Sequence, residues 1–406
     1  MRVLVVRAAI GLACLPAAAG AQTLALTESE AVARLSSESP RVQVVRAAVD
    51  VARADVLNAA RWPNPRVSYN REAVAGVAEN YLTVAQVLPL TGRRRLEVEA
   101  ASLRVEASAS RAEDQVRRLE ADLRLAFTDL RVAQTREREL ARSRNRLREL
   151  AGILERREAA GESPGFDRLR AEREVIDVDA ERASAASERV RAQGALVGFF
   201  AAAPDVQVID AIDTARPPTV LPSVDELIAR AETRGAFVAL QRERDAAAFT
   251  ERAAGRRVIP EPELVAGTKS SNAGTGDVGS IVSVHLTLPL FDRARPERAA
   301  ALARGAQVRA DADALRLTVR AQIAAWRGAA LERRQIADQY RAAIGNNAEE
   351  IERIAQVSYD AGEQGILELL DAHRTAASAR VRQALLDAAV REAEIELAFA
   401  SGWEMP

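Results

Sequence analysis

Residues 84–101 read VAQVLPLTGRRRLEVEAA, and residues 284–301 read VHLTLPLFDRARPERAAA. Each stretch begins with an alternating apolar run, passes through Leu-Pro-Leu and a set of arginines, and ends in an alanine-rich helical pattern. The alternation marks a half-buried strand and the later pattern a helix. Proline fixes φ and removes a backbone N–H, so Pro89 and Pro289 end strand pairing at strand-to-helix transitions.

Other landmarks recur at nearly the same offset. Thr27-Glu28-Ser29-Glu30 and Ser223-Val224-Asp225-Glu226 are both capping boxes that open short helices. Helical stretches follow over about Val42–Arg61 and Val238–Arg257. Pro63-Asn64-Pro65 and Pro260-Glu261-Pro262 then force extended backbone. GESPGFDRL (161–169) is echoed by GEQGILELL (362–370). This order predicts a signal segment over 1–21 and two structural repeats. The first repeat, 22–210, holds two strands near 66–88 and a long helical hairpin over 93–200. The second, 211–406, holds a proline-rich linker at 213–222, two strands near 263–288 and a hairpin over 293–402.

The strands lie near Arg66–Arg71, Tyr81–Leu88, Glu263–Lys269 and Val278–Leu288. Val282, Val284, Leu286 and Leu288 share one face; Ser283, His285 and Thr287 share the other. Four strands cannot close a membrane barrel, which starts at about eight strands. Two chains would leave no aqueous lumen, whereas three would supply twelve strands. From Arg93 to about Arg157 there is no proline, and no glycine before Gly152, so a helix of ~95 Å is expected. Val116, Leu119, Leu123, Phe127 and Leu130 form its seam. Leu315, Val319, Ile323, Trp326, Ala330, Ala337, Tyr340 and Ile344 form a second, near-heptad seam.

Composition narrows the function. The 406 residues are rich in alanine, arginine, glutamate and leucine, the mix of long helices. The net charge of −1 becomes −3 once Arg2 and Arg7 leave with residues 1–21, which argues against nucleic-acid binding. AAIGLACLPAAAGAQ (8–22) has the form of an export signal cleaved after Ala19-Gly20-Ala21, giving a mature N-terminus at Gln22. Gly11 spoils the pattern that would make Cys14 a lipid-modified residue. Beyond this segment no run of about 20 apolar residues could cross a bilayer as a helix. GALVGFFAAA (194–203) reads as a helix end packed on protein. His285 and His373 are far apart with no ligand cluster beside them, and there is no glycine-rich phosphate loop. No enzyme, catalytic residue, cofactor or metal site is expected; His285 reads as lining a lumen and His373 as a solvated helix residue.

The paired halves, the two Leu-Pro-Leu transitions and YDAGEQGILELLDAHRTAASARVRQALLDAAV (359–390) resemble the TolC family of outer membrane efflux proteins. LPLTGRR (88–94) is similar to its CzcC/CusC-like branch. The resemblance covers the mature chain and implies a mainly α fold with a small β part. It implies a homotrimer in which a 12-stranded outer-membrane β-barrel is continued by a long periplasmic α-helical barrel. The implied function is the passive exit duct of a tripartite efflux system, heavy-metal cations being one candidate cargo. Its partners are then outer membrane lipid, a periplasmic adaptor, and an inner-membrane pump of the resistance-nodulation-division type that supplies the energy.

The resemblance also assigns residues. The turns at Gly161, Glu162, Ser163 and at Gly362, Glu363, Gln364 form the adaptor-docking tip. Glu368 and Asp371, one helical turn apart, form an acidic ring at the periplasmic aperture. Tyr359 and Asp167 supply a hydrogen bond that holds the gate. Gln364 stands where the family has a basic residue and Phe166 where it has a hydroxyl, which shifts closure toward apolar contact and tip packing. The alternative is a soluble periplasmic coiled-coil scaffold or adaptor subunit, which leaves the Leu-Pro-Leu segments unexplained.

Overall fold

The computed structural model describes residues 23–162, 164–201, 208–212, 220–344 and 347–405. The segment 1–21, Ser163 and most of the linker 213–222 lie outside the described residues.

Two capping boxes start the short helices α1 (Glu28–Ala33) and α5 (Val224–Ala231). Thr27 and Ser223 each accept from the backbone N–H three residues on, and Glu30 and Glu226 return the bond. After α1 comes α2 (Pro40–Ala59), with proline in its first turn; after α5 comes α6 (Gly235–Arg256). The long helix α3 (Arg93–Ala159) runs 67 residues, about 100 Å at the α-helical rise. It turns into α4 (Gly165–Val197). The later set comprises α7 (Arg295–Ile344), α8 (Asn347–Asp360) and α9 (Ile366–Ser401).

The helices form a layer around α3, which packs on α2, α4, α6 and α9, while α7 packs on α6 and α9. The seams are visible in the cores. Leu123, Phe127 and Leu130 of α3 meet Leu196 of α4 and Phe199 and Phe200 just after it. Val319, Ile323 and Ala330 of α7 meet Leu227, Leu397 and Trp403. Near the turns, Leu147, Leu150 and Leu154 of α3 pack with Val178, Tyr359, Ile366 and Leu369 from α4, α8 and α9. Buried ion pairs cross-brace the layer: Arg391 with Glu28, and Arg234 with Asp114 at 3.0 Å. Arg234 also donates to the Ala400 carbonyl at 2.9 Å.

A parallel pair, β1 (Thr23–Leu26) and β4 (Val208–Ala211), was not legible as strands in the sequence. Each has only four residues, and the pairing spans most of the first half of the chain. The Gln134 side chain of α3 pins this pair, accepting from Ala211 N–H at 3.0 Å and donating to the Ile209 carbonyl.

The other sheet is antiparallel, in the order β2 (Arg66–Val74), β3 (Val77–Val87), β5 (Pro262–Ser271), β6 (Val278–Leu286). Ala75 and Gly76, both at positive φ, make the two-residue β2–β3 hairpin. The central β3–β5 pairing joins the two halves of the chain, and β2 and β6 are the sheet's edges.

Candidate functional site: a two-faced sheet and a helical tip

The register fixes which residues share a face. Val67, Val84, Ala266 and Val282 lie in one row across the sheet, and Tyr69 and Leu82 pair in the next. Leu264 pairs with Val284 on the same side. These apolar residues are exposed, Val67 at 66% and Val282 at 74%. Polar residues mark the end of this face toward the β2–β3 turn, where Arg71 pairs with Asn80. The opposite face carries Ser68, Thr83, Ser283, His285 and a chain of ion pairs. Arg66 meets Glu263, His285 Nδ1 lies 4.0 Å from the same carboxylate, and Lys269 lies 2.8 Å from Glu79.

Below the sheet, Pro89 lies between β3 and α3, and Pro289 between β6 and α7. The same local bond closes around each proline. Leu90 N–H donates to the Leu88 carbonyl and Leu290 N–H to the Leu288 carbonyl, both at 2.9 Å. This i→i+2 bond is that of a γ-turn, whose inverse form suits the fixed φ of proline. The last rung beside Pro89 is Leu88 N–H to the Pro262 carbonyl at 2.8 Å. Arg93 is tied to Glu261 at 3.4 Å, and Arg94 donates to the Ala60 carbonyl at the end of α2 while covering the Trp62 ring. Arg95, Arg293 and Arg295 are exposed.

At the far end, α3 and α8 stop in the same way. Gly161 has φ +76° and Gly362 φ +74°. Gly161 N–H donates to the Glu158 carbonyl and Glu162 N–H to the Arg157 carbonyl. Gly362 N–H donates to the Tyr359 carbonyl and Glu363 N–H to the Ser358 carbonyl. Both are Schellman closures, which need the left-handed residue that glycine supplies without strain. Glu162, Glu363 and Gln364 are exposed at these turns.

Tyr359 is buried in the last turn of α8, with Arg157 over its ring at 5.7 Å. Burial raises its hydroxyl pKa, and the nearby Arg157 opposes the shift. Among the described residues no hydrogen bond joins Tyr359 to Asp167, although the Asp167 charge acts on the hydroxyl. Glu368 and Asp371 lie on the exposed side of α9, while Ile366, Leu369 and Leu370 turn into the bundle. Phe166 is 62% exposed.

His373 corrects the sequence reading. It is not solvated: its side chain is 11% exposed, with Nδ1 3.7 Å from Glu352. Glu352 in turn receives Arg380 at 3.1 Å and pairs with Arg146. The signal was present as spacing. Ala348, Glu352, Ala355 and Tyr359 step along the buried seam of α8, as Ile366, Leu369, His373, Ala376 and Arg380 do along α9. Polarity outweighed position in reading those residues. Among the described residues no group of three or more His, Cys, Asp or Glu side chains is gathered as for a metal ion. No helix among them is long and apolar enough to cross a membrane.

No protein-family model and no curated protein matches this sequence. Solved structures do match. A membrane protein from Pseudomonas aeruginosa superimposes with a TM-score of 0.77 at 22% identity, covering 92% of this chain and 93% of that one. CusC, described for its transmembrane channel formation, gives 0.74 at 16% identity over 93% and 92%. The CmeC outer membrane channel of Campylobacter jejuni gives 0.76 at 15% identity over 92% and 85%. This chain has the TolC-like fold. Its mainly helical architecture with a small sheet is that of these outer membrane channels along almost its whole length.

Proposed function

We propose that the chain is one third of an outer membrane exit duct. The observation that carries this reading is the four-stranded sheet, whose apolar face is exposed, whose polar face holds the ion pairs, and whose two edge strands are unpaired. An apolar face open to water is unfavourable, and the surroundings that suit it are lipid. Three copies, with β2 of one beside β6 of the next, make a 12-stranded barrel whose polar face lines a lumen. The long helices continue it into the periplasm after export under the segment 1–21.

The two halves, 22–210 and 211–406, are repeats of one unit. Their matching capping boxes, proline turns and Schellman closures support this. The tip turns around Gly161 and Gly362 dock a periplasmic adaptor. Transport is driven by an inner-membrane pump of the resistance-nodulation-division type, and the cargo includes heavy-metal cations. Glu368 and Asp371 from three chains surround the aperture with six carboxylates, which favours cations over anions. Tyr359, beside Arg157 and Asp167, braces the helices above that aperture.

In mild detergent the mass should be that of three chains plus the micelle, and reconstituted protein should conduct with cation preference. Glu368→Gln combined with Asp371→Asn should move the reversal potential in a salt gradient toward zero while the trimer persists. A detergent-independent monomer in the soluble fraction would instead support a periplasmic scaffold. An unchanged reversal potential would place the two acids outside the conducting path.

A further inference from the structure

The bundle above the tip contains a buried set of charges that the proposed function leaves unassigned. Glu352 on α8 is 8% exposed and holds Arg380 of α9 at 3.1 Å and Arg146 of α3. One carboxylate therefore ties three helices together. Glu139 of α3, also buried, binds Arg142 at 2.5 Å and lies 3.5 Å from Arg380. His373 sits among them, and its Nδ1 is buried without a hydrogen-bond partner among the described residues, 3.7 Å from Glu352. An unpaired buried polar atom is costly and calls for an explanation.

Charges face His373 from every helix packed around it. Glu139 and Arg146 approach from α3, and Glu352 from α8. Arg374 and Arg380 flank it on α9. Glu174, Asp177 and Glu181 of α4 line the groove of about 740 Å³ that His373 also borders, and Arg374 donates to Glu174 at 3.1 Å. The groove brings solvent up to the His373 ring. With a neutral imidazole, Glu352 is shared by Arg146 and Arg380, and Glu139 by Arg142 and Arg380. A proton on His373 makes Glu352 its nearest counter-ion, and drawing the carboxylate in to hydrogen-bond distance takes it away from the two arginines.

We infer that His373 is a proton-operated latch: its protonation exchanges the Glu352 pairings to Arg146 and Arg380 for a Glu352–His373 pair, loosening α8 from α3 and α9 just before the Gly362 turn. The direction follows from the surroundings. Burial holds the His373 pKa below its ordinary value, against the pull of Glu352. A histidine depressed in this way contributes stability that is present above about pH 6.5 and lost as pH falls through its folded value. Glu352 stays charged in that window: burial raises its pKa, but the bonds from Arg380 and Arg146 outweigh burial and hold it below the usual carboxylate value. Acid therefore loosens the latch and neutral pH fastens it.

The test is hydrogen exchange on the full chain in detergent at pH 7.5 and 5.5, corrected for intrinsic amide rates. Peptides covering α8 should lose protection at pH 5.5, by at most about tenfold, the linkage limit one unit below the free imidazole pKa. His373→Gln should hold the same protection at both values. Acid loosening that persists in His373→Gln, or that is missing from the wild type, overturns the inference. The chain has two histidines, so His285→Gln leaves His373 as the sole imidazole for ¹³C-labelled NMR titration. A midpoint below about 6.5 supports the latch, and one at or above it defeats it. Both readouts concern helix packing and hold whether or not the protein conducts.

Discussion

The sheet and the helical tip draw on the same apolar residue types and treat them in opposite ways. At the tip, Leu154 and Leu369 are 0% exposed, enclosed by α3, α4, α8 and α9 of one chain. In the sheet, Val67, Val282 and Val284 stand open, and the strands at both edges have no outer partner among the described residues. A single chain encloses the apolar residues of the bundle but leaves those of the sheet exposed, an arrangement that suits the lipid and the neighbouring strands of the proposed duct better than water.

The comparison breaks most readily through volume. Leu369→Ala should destabilise the tip bundle by ~2–5 kcal/mol, read as lost amide protection across α3 and α9, because the cavity is fully enclosed. Val282→Ala should shift sheet stability in detergent by less than about 0.5 kcal/mol, since the side chain is 74% exposed. Comparable losses at both sites would remove the distinction.

Charge sharpens the two faces of the sheet. Val282→Arg should cost ~2–4 kcal/mol of folding into phospholipid vesicles, measured by urea titration, because the guanidinium meets hydrocarbon. Ser283→Arg, one residue along and on the polar face, should fold nearly as well as wild type. The opposite ranking would exchange lumen and lipid.

The smallest effect concerns the turns. Gly362→Ala should lower thermal stability by about 1 kcal/mol through its positive φ alone, since nothing lies within 4 Å of the added Cβ. At the other end of the molecule, Ala75 is a non-glycine residue at φ 50°. Ala75→Gly should stabilise the hairpin by a similar amount. Equal and opposite shifts in melting temperature would place both effects in local backbone geometry.

Much of the architecture was legible because its signals are local. A period of two against a period of 3.6 separated β2, β3, β5 and β6 from α3 and α7. Capping boxes and glycines marked helix starts and stops within a residue or two. The β1–β4 pair was not legible, because four residues carry too little pattern and their partners lie far apart in sequence. Gly161 and Gly362 were legible as helix stops, and the spacing of His373 along α9 marked its buried side, but its charged partners on α3 and α8 were not legible.

The sequence by itself determined where strands end and helices begin, because proline geometry, capping and hydrophobic period act over a few residues. Only the tertiary structure decided which charges are buried. Whether Glu352, Arg146, Arg380 and His373 meet depends on how α3, α8 and α9 lie against one another, across more than two hundred residues of chain. Electrostatics in a bundle follows distance in space and loss of water, and neither is written in any single stretch of residues.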